Sequence, residues 1–265
     1  MKGPAALAVA LFLVAVLAGC SASGPASAKA AQTAPAATGH SAASAAARPR
    51  PTAAAITIAG DHPVPPNGSQ DTYTQAAEAS CATSTFTTDK ALGGKIAAGF
   101  SSAGLPVSAE LLTHFLRGTG AGVDFRAGSA ISKQALASAA FQGMDSQVQT
   151  AILSQLKAGR TSVRLPAAQL PAVTFASSGG DLYWGFRGTQ GLTVTGTVHR
   201  ANGRYTGRLS YVIRDSYGFP AGDTLAGFGA PMRYLQTVCG APQHAGGAHW
   251  FPDTITVTVP FSHPA

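Results

Sequence analysis

Charge is scarce in this chain. Its 265 residues hold 18 lysine and arginine and 11 aspartate and glutamate side chains, 11% in all, where soluble domains usually carry about a quarter. No block of like charge marks a polyelectrolyte tail, and no basic run marks a nucleic-acid surface, so nucleic acid is not an expected partner. Cysteine is limited to Cys20, Cys81 and Cys239, which have neither the Cys-x-x-Cys spacing of a redox centre nor that of a zinc knuckle. A Gly-x-Ser-x-Gly nucleophile elbow is missing, as is a Walker loop. Gly118-Thr119-Gly120-Ala121-Gly122 follows a helical pattern, whereas a dinucleotide loop follows a strand and opens a helix. The sequence implies no cofactor and no metal.

What is present begins at the N-terminus. Lys2 precedes an uncharged run from Ala5 to Ala18 rich in Leu and Val. Fourteen helical residues rise only about 21 Å, short of the roughly 30 Å hydrocarbon core of a bilayer, so a signal-peptide core fits better than a permanent span. The run closes on Leu17-Ala18-Gly19-Cys20. That tetrad resembles the lipobox of bacterial lipoprotein precursors. The resemblance implies cleavage of residues 1–19, lipid attachment at Cys20, and a position on the outer face of the bacterial cell membrane. Two or three acyl chains would hold stably, since one alone is marginal.

Residues 20–70 are dominated by Ala, Ser, Pro, Thr and Gly, with Ile56 and Ile58 the only large aliphatic exceptions before Val64. Such composition buries too little apolar area to offset its ordering entropy, so a disordered tether is expected. Residues 71–265 then read as one domain, with 14 basic against 10 acidic side chains.

The first half of that domain reads as helical. A helix is expected from Ser108 with Leu111, Leu112, Phe115 and Leu116 on one face and glycines behind it. Another is expected over Ile131 to Phe141, and a third from an Asp145 cap through Val148, Ile152 and Leu156. A weaker one spans Ala91 to Phe100, where Gly93, Gly94 and Gly99 count against it. The second half reads as strands: Ser162–Leu165, Ala172–Ala176, Asp181–Arg187, Leu192–His199, Arg204–Arg214 and Thr254–Val259. Asn202-Gly203 supplies a hairpin turn, and Met232–Cys239 a late helix. Helices first and hairpins later indicate an α+β fold, with helices packed on one face of an antiparallel sheet.

Cys81 and Cys239, in an exported domain, pair most simply with one another; two buried free thiols are the alternative. Arg214-Asp215-Ser216-Tyr217-Gly218-Phe219-Pro220 sits where a strand should end, with Asp223 soon after. Carboxylates and a tyrosine there can serve acid–base chemistry, or Asp215 can simply bond turn amides. Asp215-x-Tyr217 resembles a motif of colicin-M-like toxins, which cleave lipid-linked peptidoglycan precursor. In that family a second aspartate follows the tyrosine where this chain has Gly218, and a His-Arg pair comes next that this chain lacks. His244 and His249 share a Gly-rich loop with only Asp253 nearby, and His114 lies on an apolar helix face. Tyr183, Trp184 and Arg187 can stack against sugar rings, although strand aromatics more commonly fill a core, and Trp184 and Phe186 share one face of the expected strand. Two functions follow. The first is a surface-anchored envelope lipoprotein with a non-enzymatic domain that binds a wall component or protein. The other is an envelope-directed hydrolase or toxin-like enzyme using Asp215, Tyr217, Asp223 and His249.

Overall fold

The computed structural model describes residues 54–63, 81–219, 227–240 and 246–265. The chain divides into two units, residues 1–52 and 53–265, and the first lies outside the described residues. So do Cys20, the lipobox, most of the expected tether, Asp223 and His244.

The described elements run β1 (Ala55–His62), α1 (Thr83–Ser102), α2 (Pro106–Arg117), β2 (Val123–Phe125), α3 (Ala130–Ala137), α4 (Ala139–Lys157), β3 (Ser162–Leu165), α5 (Gly180–Phe186), β4 (Gly191–Ala201), β5 (Arg204–Tyr217), α6 (Gly229–Thr237) and β6 (Phe251–Pro264). The six strands form one sheet in the order β2-β6-β5-β4-β1-β3. Antiparallel pairing joins β1, β4, β5 and β6. The short edge strands β2 and β3 pair in parallel, which makes the sheet mixed. The fold is α+β, as expected.

Alternation decides which face is covered. On β5, Tyr205, Leu209, Tyr211, Ile213, Asp215 and Tyr217 are buried and their neighbours are not. On β6 the buried positions are the odd ones from Phe251 to Phe261. A strand's side chains alternate across the sheet, so these residues share the face that meets the helices. Two hydroxyls tie α4 to that face: Tyr205 donates to Leu156 O at 3.0 Å and Tyr211 to Asp145 Oδ1 at 2.6 Å. Asn202 (φ 52°) and Gly203 (φ 70°) both take positive φ and turn β4 into β5, the geometry of a type I′ hairpin.

Several expectations are corrected. Ala55–His62 is a strand within the stretch whose composition reads as tether. Ile58 is 1% exposed and Ile56 packs on the core, while ladders on both sides satisfy a backbone that composition does not register. Asp181–Arg187 is no strand: Gly180–Phe186 is helical. Ala172–Ala176 contributes only a bridge between Thr174 and Gly188. The helix expected over Ile131 to Phe141 breaks at Ser138, whose hydroxyl accepts from Phe141 N and so caps α4. Asp145 therefore lies inside α4 and is not its cap. The helix expected from Ser108 starts at Pro106, a favoured first position. The weak helix over Ala91–Phe100 is a 20-residue element. Gly93, counted against it, lies where side chains of α2 and α6 both pack on α1: a Cβ there would stand 2.8 Å from Leu116 Cδ2 and 3.1 Å from Met232 Sδ. Close packing outweighs the intrinsic cost of a helical glycine of about 1 kcal/mol.

Candidate functional site

Strand β5 does not stop at Arg214. It continues to Tyr217, so Asp215 and Tyr217 belong to the ladder and to its inward face. Each is 7% exposed. Tyr217 lies opposite Phe251 and stacks on it at 5.5 Å between centroids. Phe115 of α2 approaches the Tyr217 ring edge-on at 6.2 Å, and His114 approaches Phe251 at 4.5 Å. Asp215 is opposite Asp253 of β6. Asp215 Oδ1 accepts from Ser216 N at 2.9 Å, but neither carboxyl oxygen of Asp253 has a hydrogen-bond partner, and the residue is 1% exposed. Burial pushes both carboxyls well above the usual range, and the facing Asp215 pushes Asp253 further. Two inward carboxyls on facing positions stand about 5 Å apart at Cβ, and in a dry site the first charge opposes the second. The inward spacing of Phe251, Asp253 and Ile255 was the one sequence signal for this pair. The register that brings Asp215 to Asp253 is tertiary.

His249 is half-buried. Its Nδ1 donates to Trp250 O at 2.6 Å, its ring stacks on Trp250 at 5.8 Å, and its backbone N donates to Phe115 O at 3.2 Å. The segment carrying it threads between backbones: a Cβ on Gly247 would fall 1.6 Å from Cys239 O, and one on Gly118 would fall 1.8 Å from Gly247 O. His114 donates through Nε2 to Ala121 O at 2.8 Å. The set proposed for catalysis thus divides. Asp215 and Tyr217 lie under the helices, His249 spends its ring on its own loop, and Asp223 lies outside the described residues. General acid–base work requires the group to reach a substrate proton, and two buried side chains in a packed interface offer no such approach.

The residues expected to bind do come together, though from a helix. Asp181 Oδ1 accepts from both Ser108 N and Ser108 Oγ at 2.7 Å, which docks the start of α5 on the first turn of α2. Gly185 faces α2, where a Cβ would stand 2.8 Å from Leu111 Cδ1. Phe186 is then fully buried, while Tyr183 and Trp184 are half-exposed and Arg187 is exposed. Trp184 rests on Phe100 (5.3 Å) and Phe228 (6.1 Å), Tyr183 meets it edge-on at 5.1 Å, and the Arg187 guanidinium lies 5.9 Å over the Tyr183 ring. The shared face expected for Trp184 and Phe186 does not exist, because residues two apart on a helix diverge.

Cys81 and Cys239 form a disulfide with Cα atoms 5.0 Å apart. Among the described residues no group of three or more His, Cys, Asp or Glu side chains is placed to hold a metal ion, and no helix is long and apolar enough to cross a membrane. No protein-family model matches the chain, and neither curated proteins nor solved structures provide a match.

Proposed function

We propose that this chain is a lipid-tethered protein of the bacterial envelope whose folded unit binds a wall component and performs no catalysis. The lipobox resemblance supports the tether, and the Cys81–Cys239 disulfide suits an oxidising compartment. The observation that carries the binding role is the Tyr183–Trp184–Arg187 cluster, in which two half-exposed rings on α5 meet the exposed guanidinium of the residue that caps it. Aromatic faces accept the apolar face of a sugar ring, and a guanidinium accepts a carboxylate in a bidentate fork. Peptidoglycan presents both groups side by side.

Co-sedimentation of the chain from residue 21 onward with purified peptidoglycan tests the reading. Saturable binding that weakens at least about tenfold in Trp184→Ala supports it; no binding, or binding that Trp184→Ala leaves intact, overturns it. For the tether, Cys20→Ser should release the protein from membranes, and undiminished retention would refute lipid attachment.

A further inference from the structure

The sheet has a second face, and its chemistry differs from that of the first. Helices cover the inward positions, while the outward ones, Gly191 apart, are exposed or half-exposed. On β4 they include Thr193, Thr195 and Thr197, and on β6 Thr254, Thr256 and Thr258. Between these two hydroxyl ladders runs β5, which turns Arg204, Arg208 and Arg214 outward along one line. The register makes the arrangement continuous: Arg208 faces Thr197 on one side and Pro260 on the other, and Ser210 faces Thr195 and Thr258. No Phe, Tyr or Trp side chain stands on the outward positions of these three strands; the one outward aromatic ring is His199, opposite Thr206.

Charge on this face is uneven. Among the described residues its carboxylates, Asp61 and Asp124, lie at the Arg214 end, where Asp61 pairs with Arg214 at 3.3 Å and also accepts from Thr193, and Asp124 accepts from Thr254 at 2.6 Å. Arg208 is six residues from Arg214, a separation of about 20 Å along a strand, and Arg204 lies further still. Arg204 is laid flat by donating to Ser262 Oγ at 3.0 Å. The hairpin end is therefore cationic and flanked by hydroxyl donors.

We propose that this face binds a linear phosphodiester polymer lying along β5. Guanidinium forks match phosphate oxygens, and the threonine ridges on either side supply neutral donors at the interstrand spacing of about 4.8 Å. An aligned row of cations favours a chain over a flat lipid surface, which gains nothing from alignment. With no outward Phe, Tyr or Trp, and His199 as a lone ring, the face lacks the run of stacking platforms that single-stranded nucleic acids use. Pro260 and Pro264 take backbone donors from β6 and discourage pairing with a strand of a second copy. The wall as the source of such a polymer rests on the envelope reading above; the chemistry of the face does not.

The test titrates the chain from residue 21 onward with poly(glycerol phosphate). Saturable binding is expected, weakening as salt rises because the exposed charges are screened. Arg204→Gln with Arg208→Gln should lower affinity at least about tenfold, the loss of two charge-assisted contacts. Arg117→Gln with Lys157→Gln, which removes equal charge from the helix layer, should leave affinity within about twofold. No saturable binding, an equal loss in both double variants, or equally tight binding to phosphatidylglycerol vesicles overturns the proposal. The probe contains no sugar ring, so its failure leaves the aromatic site standing, and loss of peptidoglycan binding leaves this one.

Discussion

Asp215 and Asp253 face each other across β5 and β6 on the side of the sheet that the helices cover, with both oxygens of Asp253 unbonded. Folding takes both carboxyls out of water and raises their affinity for protons. The folded state therefore holds more protons than the unfolded chain at every pH between the unfolded value near 3.9 and the raised folded value. Over that window stability falls as pH rises, the reverse of a salt-bridged carboxylate. Asp253→Asn keeps the shape and removes the ionisation. Its unfolding free energy should match the parent at pH 4 and exceed it by on the order of 1–3 kcal/mol at pH 8, read by urea denaturation at both values. A constant difference across pH would show that the pair does not titrate as described.

The disulfide joins residues 158 apart, from just before α1 to just after α6. Closing so long a loop should stabilise by several kcal/mol through the unfolded chain, with about 5 as a ceiling. Cys81→Ser with Cys239→Ser should lower the thermal midpoint by more than about 5 °C, measured by circular dichroism. An unchanged midpoint would assign the bond no structural role. Tyr234, whose hydroxyl accepts from Ala82 N at 2.9 Å, remains as a weaker tie between the same segments.

β1 makes the folded unit begin before residue 71. Removing Ala55–His62 strips the partner from the edges of both β3 and β4 and takes Ile58 out of the core. A chain starting at Asp71 should be cleaved rapidly by a nonspecific protease, while one starting at Ala54 should resist. Equal resistance would mean that β1 is dispensable.

Asp181 bonds two donors of Ser108 at the opening of α2, at a site only 1% exposed. Asp181→Ala should cost about 2 kcal/mol, because it orphans a buried amide and a buried hydroxyl at once. Asp181→Asn, which keeps an acceptor, should cost less. Since α5 carries Tyr183 and Trp184 and ends at Arg187, the alanine variant should also loosen Trp184, visible as a red-shifted fluorescence maximum in a Trp250→Phe background. An unshifted maximum would show that the cap does not position the aromatic cluster.

The site residues show how local chemistry and register divide the task. The Asn202-Gly203 turn and the alternation after it were legible, because positive φ and a period of two are properties of neighbouring residues. The pairing of Cys81 with Cys239 was legible as the simplest use of two thiols. Asp253 was not, since its significance comes from a partner 38 positions away on another strand. Trp184 was assigned to the wrong element, because a run as short as Leu182–Phe186 fits either period.

By itself the sequence determined an α+β fold, the helical first half, the hairpin, and where Tyr183, Trp184 and Arg187 lie in the chain. Each depends on propensity or periodicity within a few residues. Only the tertiary structure decided that Ala55–His62 is a strand, that Gly93 is a contact, that Asp215 is buried against Asp253, and that arginines and threonines share an open face. Each of these depends on register and packing between distant segments, where backbone hydrogen bonds and close approach act on whatever side chain the local code has placed there.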